Sequence, residues 1–125
     1  MLLLLAVMVG GALGASLRFL IGQGFALYLP TAFPLGTLVA NGLGCFTMGI
    51  FFTLSQHFSG FNPHWRLLLM TGMMGALTTF STYSMETVQL LRDQAWVLAA
   101  SNMLLSNVLG LLLFAGGYWL SSRFF

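Results

Sequence analysis

"MTGMMGALTTFSTYSMETVQLL", residues 70–91, decides how this chain is read. It opens as an apolar helix. It then runs through Thr78, Thr79, Phe80, Ser81, Thr82, Tyr83 and Ser84 to a carboxylate, Glu86. Such a run suits water, yet the sequence on either side suits lipid.

The surroundings settle the solvent. The chain is 58% hydrophobic and 5% charged, with mean hydropathy +0.94. Soluble domains are nearer about 25% charged. The length of 125 residues allows about four spans of roughly 20 residues each with short turns. Period-two alternation is absent, so closed barrels give way to helices as the means of satisfying backbone groups in lipid. The expectation is an all-α integral membrane protein, a single four-helix transmembrane domain over residues 1–125.

The spans fall at about 2–29, 35–56, 65–91 and 97–120. Pro30 and Pro34 stop the first. Gly60, Asn62 and Pro63 supply turn chemistry after the second. "RDQAW", residues 92–96, separates the third from the fourth. His57, His64, Trp65, Trp96 and Trp119 lie near span ends, the interface level for amphipathic rings. The N-terminus lacks the basic region of a signal peptide, and Arg18 follows the apolar run, so a first membrane helix is expected.

Charge excludes some classes. The formal charge is +2 and the pI about 9.2, but Arg18, Arg66, Arg92 and Arg123 are scattered singly. Nucleic acid would need them clustered. The lone Cys45 permits no internal disulfide and suits small apolar packing. Orientation charges are nearly balanced: Arg66 and Arg123 on one side, Arg92 beside Asp93 on the other. A weak bias fixing one orientation and insertion both ways with antiparallel pairing both satisfy the positive-inside rule as it stands here.

Small residues recur one turn apart at Gly10 and Gly14, Gly11 and Ala15, and Cys45 and Gly49. That spacing permits close helix approach. Polar residues inside the spans are the functional candidates. Arg18, with Gly14 and Gly22 one turn either side, either snorkels or lines a watery vestibule. Asn41 follows Thr37 by one turn and either bridges helices or offers its N–H to a ligand. Asn102 and Ser106 form a stripe beside Asn107, with interhelical hydrogen bonding as the plain reading.

In the opening stretch, Gly72 and Gly75 weaken the helix ahead of Thr78 and Thr79, and a break there would free backbone carbonyls. Thr79, Thr82 and Glu86 share one face. Phe80 and Tyr83 share the next. Ring edges carry slight positive potential, and hydroxyls and amides donate. The set suits a small, hard anion stripped of water.

Taken together, these residues resemble the fluoride channel family, the small dual-topology fluoride exporters of bacteria. "GGALGASLRFL" at 10–20, "PLGTLVANGLG" at 34–44 and "GALTTFSTYSME" at 75–86 carry the resemblance, in order. The layout matches over the whole chain. The resemblance implies an antiparallel dual-topology homodimer with the third helix broken mid-membrane. It implies two pores passing fluoride passively across the bacterial inner membrane, and so fluoride resistance. It implies a structural sodium ion at the dimer interface, held by the carbonyls of Gly75 and Thr78. Phe80 and Tyr83 would be the paired pore rings, Asn41 the pore asparagine and Arg18 the vestibule arginine. Thr37, Ser81, Thr82 and Glu86 would form the polar track, with Ser106 a looser match. Tyr83 stands where the family commonly has Phe, and Gly110 near a position where it often has a second hydroxyl.

Other functions fit less well. A small multidrug-type proton-coupled exporter shares the size but relies on a first-helix glutamate, and this first span has none. A non-transporting accessory subunit would use the polar face only to join helices. An enzyme lacks a nucleophile set, and no phosphate-binding loop ending in Lys-Ser or Lys-Thr appears.

Overall fold

The computed structural model describes residues 1–58 and 61–125; Gly60 lies outside the described residues. Every regular element among them is helical. Helix α1 spans Leu2–Tyr28, α2 Leu35–His57 and α6 Trp96–Ser122. These three are long and apolar enough to cross a membrane. Between α2 and α6 the chain is pieced together from α3, Pro63–Arg66, a π-helix over Leu67–Met74, α4, Gly75–Leu77, and α5, Phe80–Arg92.

The ends follow local chemistry. Leu29 N–H closes α1 on Phe25 O, and Pro34 caps the start of α2. The Asn62 side chain accepts from His64 N–H at 2.9 Å with Pro63 in the first turn, a helix start that uses an orphan donor. Helix α5 ends with Ala95 N–H on Leu90 O and Gln94 N–H on Leu91 O. That paired closure needs a left-handed residue, a place usually taken by Gly. Here Gln94 adopts it, at φ 59°.

Helix α1 runs parallel to the segment 67–77, and α2 runs parallel to α6. A Cβ on Gly10 would strike the Leu68 carbonyl, and one on Gly14 the Met73 carbonyl. Likewise a Cβ on Gly49 would strike Phe114 O, and one on Gly117 would strike Phe46 O. No described glycine has positive φ, so these glycines are needed for backbone approach, which small residues permit. Gly11 differs: among the described residues nothing lies within 4 Å of its Cβ position. Thr53 fastens the second pair by donating to Tyr118 O at 3.3 Å.

The buried core is small, with Ala40, Met74 and Leu77 at its centre. Leu4, Leu20 and Leu27 on α1 and Leu104, Leu111 and Leu112 on α6 are more than half exposed. A surface of that kind faces lipid tails, which are as apolar as leucine. The chain is a multi-pass membrane protein. Arg123 lies over the Trp119 ring at 4.1 Å, a cation–π contact at the end of α6.

A candidate anion site around Thr79

The site starts where the chain leaves helical geometry. Thr78 has φ −81° and ψ 144°, and Thr79 has φ −145° and ψ 116°, both extended. The departure falls at the two threonines that follow Gly72 and Gly75. Gly75 begins α4, and Gly72 remains helical and packs its Cα against α1, near Val7 O at 2.7 Å from its Cβ position. Gly72 is a packing residue, and the extended residues are β-branched threonines, which favour that conformation.

Extended residues cannot use helical hydrogen bonds, so their polar groups must find other partners. Asn41 supplies them. Its Oδ1 accepts from Thr79 N–H at 2.7 Å and its Nδ2 donates to Thr79 O at 3.2 Å. Arg18 takes a carbonyl of the last helical turn before the extended residues, its Nε donating to Ala76 O at 3.1 Å. The first-helix arginine therefore crosses to the departure point rather than running to a helix end. Gly75 O loses its helical donor, because Thr79 N–H is held by Asn41.

The Thr79 hydroxyl organises the start of α5. It accepts from Thr82 N–H at 3.2 Å as a helix cap and lies 3.0 Å from Thr82 Oγ1 and 3.3 Å from Ser81 Oγ. A turn later, Thr37 of α2 donates to Glu86 Oε1 at 2.7 Å. Glu86 Oε2 is buried and has no partner among the described residues.

Two cavities meet at Thr79. One, of about 380 Å³, is lined by Arg18, Gln23, Thr37, Thr79, Thr82 and Glu86. It adjoins a wider cleft of about 530 Å³ that shares Gly22, Thr37 and Glu86 and reaches Thr31 and Pro34. The other, of about 230 Å³, is lined by Asn41, Cys45, Thr79, Phe80, Tyr83 and Ser106, with Asn107 at its wall. Phe80 and Tyr83 stand 5.5 Å apart, centroid to centroid, tilted by 43°.

A model of the CrcB-like proteins, described as Camphor Resistance (CrcB), matches residues 5–118. The chain belongs to the CrcB family. Curated CrcB relatives bear the name fluoride-specific ion channel FluC. One from Leptospira interrogans is 39% identical over 121 residues, covering 97% of this chain and 95% of the relative. One from Aquifex aeolicus is 43% identical over 113 residues, covering 90% and 91%. One from a Sulfurovum species is 46% identical over 120 residues, covering 90% and 93%.

Within this CrcB chain, the residues singled out in the sequence divide between the two cavities. Arg18, Thr37, Thr82 and Glu86 line the larger; Asn41, Phe80, Tyr83 and Ser106 line the smaller. Ser81 lines neither of these cavities; it is exposed and reaches only the Thr79 hydroxyl. Gly75 is exposed and Thr78 half-buried at the departure point.

Three residues escaped sequence reasoning. Gln23 joins Arg18 in the larger cavity, Cys45 lines the smaller one, and Thr87 accepts from the Asn102 amide. Gln23 and Thr87 are polar residues inside apolar spans, a signal that was present. Cys45 sits one turn past Asn41, so only the helical period pointed to it.

Proposed function

We propose that the chain is a passive fluoride-selective channel, assembled as an antiparallel dual-topology homodimer with two pores and a structural sodium ion. Residues 63–92 would form the third of four spans, with Thr78 and Thr79 as its mid-membrane break. The observation that carries the reading is that two cavities share Thr79, with Arg18, Glu86 and the Thr37 and Thr82 hydroxyls on one and the Asn41 amide, the Ser106 hydroxyl and the Phe80 and Tyr83 rings on the other. The names borne by the relatives from Leptospira interrogans, Aquifex aeolicus and Sulfurovum support it.

Fluoride must exchange its hydration for protein donors, since an ion taken from water without compensation is costly. The Arg18 charge favours anions in the larger cavity. Thr82 then offers a hydroxyl, and Asn41 offers the second proton of an Nδ2 whose first is held by Thr79 O. Phe80 and Tyr83 present polarised ring edges.

The second copy is supported by exposure. Phe80 is 79% exposed, Met85 66% and Val88 54%, beside an exposed and polar Asn107. A polar cavity wall open to lipid is unfavourable, and an antiparallel partner would close it. For sodium, the fit is in the backbone. Gly75 O lacks its helical donor and Thr78 is extended, so their carbonyls, from each copy, would hold a hard cation that prefers oxygen. The bound ion would neutralise carbonyl charge at the break.

The test is fluoride efflux from liposomes, read with a fluoride electrode, with a potassium ionophore to clear counter-charge. Rapid fluoride release with little chloride release is expected. No fluoride release from folded dimers would leave an accessory role in its place.

A further inference from the structure

Asn102 of α6 is 2% exposed, buried in the contact with α5. Its Nδ2 donates to Thr87 Oγ1 at 2.9 Å and its Oδ1 accepts from Ser106 Oγ at 3.3 Å. Thr87 in turn donates to Tyr83 O at 2.8 Å. The donors therefore point one way, from Ser106 through Asn102 and Thr87 to Tyr83. The line begins and ends on residues of the 230 Å³ cavity.

A serine hydroxyl has one proton. Given to Asn102, it leaves Ser106 facing the cavity with lone pairs, the wrong polarity for an anion. An amide, however, has an acceptor on one side and donors on the other. If the Asn102 amide turns over, Oδ1 accepts from Thr87 and Nδ2 donates to Ser106 Oγ. The Ser106 proton is then free for the cavity. Nothing is lost or gained covalently; hydrogen bonds alone change direction.

The balance favours this turn only when an anion is present. Before the turn, the line holds the Ser106, Asn102 and Thr87 hydrogen bonds. After it, the Thr87 bond to Tyr83 O has been exchanged for one from Ser106 to the anion. Tyr83 O lies inside α5, where helical backbone bonding continues to serve it. The new bond is charge-assisted and roughly twice as strong as a neutral one.

We infer that Asn102 is the positioning residue for Ser106, and that the turnover of its amide releases the Ser106 proton to an anion entering the smaller cavity. This inference rests on fluoride conduction through that cavity. It separates Asn102 from the residues lining the path: its part is to set the polarity of one that does.

The opposite effects of two neighbouring substitutions test it. In Asn102→Leu, Ser106 is left with the carbonyl one turn back as its acceptor, and nothing donates to its oxygen when the proton leaves. Fluoride efflux should slow about tenfold. Thr87→Val is nearly isosteric and removes two hydrogen bonds from the starting arrangement but one from the turned arrangement. It should speed efflux at low fluoride by about threefold. On a Ser106→Ala background both effects should vanish, since coupled residues lose additivity.

The readout is initial fluoride efflux from liposomes, on protein that elutes as folded dimer. Slowing by both substitutions, or losses that multiply with Ser106→Ala, would show that Asn102 only braces α5 against α6 and would overturn the inference. Unchanged flux in both variants would overturn it too while leaving the channel reading intact. Wild-type protein that passes no fluoride would sink the channel reading and take the inference with it.

Discussion

Asn41 and Thr79 are joined as neighbouring strands are: the side-chain amide of one exchanges a pair of hydrogen bonds, at 2.7 and 3.2 Å, with the backbone of the other. One side chain thereby satisfies an extended residue that no strand accompanies. Asn41→Leu leaves both Thr79 groups without a partner. An orphaned buried group costs about 1–3 kcal/mol, and these two are partly buried, so thermal unfolding in detergent should show a loss on the order of 2 kcal/mol, the low end for two groups. Asn41→Asp keeps the acceptor for Thr79 N–H and should fall between the two.

Gly14 and Gly11 are adjacent in pattern but not in surroundings. Gly14 meets the Met73 backbone, whereas the Cβ position of Gly11 is open. Gly14→Ala should destabilise the protein by about 1–3 kcal/mol, the usual cost of overpacking. Gly11→Ala should change the melting transition by less than about 0.5 kcal/mol. Equal shifts in the two variants would contradict the parallel packing of α1 on residues 67–77.

Phe80 is 79% exposed, so little of its ring supports the fold of the chain. Phe80→Leu should leave the unfolding temperature nearly unchanged. Fluoride efflux should fall by at least about tenfold, because a leucine has no polarised edge. A large stability loss with normal flux would show the ring to be packing alone.

Thr37 donates to Glu86 at 2.7 Å, while the second carboxyl oxygen is buried without a partner among the described residues. Thr37→Val preserves shape and deletes the donor. A hydrogen bond to a charged or strongly polar group is worth about 1.5–3 kcal/mol, so both stability and flux should drop. Thr37→Ser should restore both. Failure of Ser to rescue would mean that the methyl group, not the hydroxyl, matters.

Gln94 holds the left-handed place at the end of α5, at φ 59°. An L-residue there carries a cost of roughly 1–2 kcal/mol that glycine does not. Gln94→Gly should raise the unfolding free energy by about 1 kcal/mol, read by thermal scan, with flux unaltered. A lowered melting point would show that the Gln94 side chain contributes more than its backbone costs.

Much of the site was legible in the sequence because its residues break a rule. Arg18, Asn41, Glu86 and the hydroxyls are polar where lipid demands otherwise. Their pairing was not legible. Nothing in the chain order says that Asn41 meets Thr79 across 38 positions, or that Arg18 reaches Ala76 across 58. Gly72 and Gly75 weaken the helix ahead of Thr78 and Thr79, and those two threonines are the extended residues. Composition marked the neighbourhood; the packing of Gly72 on α1 kept the glycine itself helical.

Composition and local period were enough for the solvent and the helical class; of the four spans they suggest, three coincide with long apolar helices, whereas residues 63–92 are divided among shorter elements. The sequence also determined where the chain turns, through Pro30, Pro34, Asn62 and Pro63. Only the tertiary structure decided which polar groups satisfy one another and that Thr79 divides two cavities. Orphaned backbone groups bond to whatever donor or acceptor the packing brings within about 3 Å. That partner is set by helix contacts remote in sequence, where one turn of misregister would put Thr37 or Cys45 in place of Asn41.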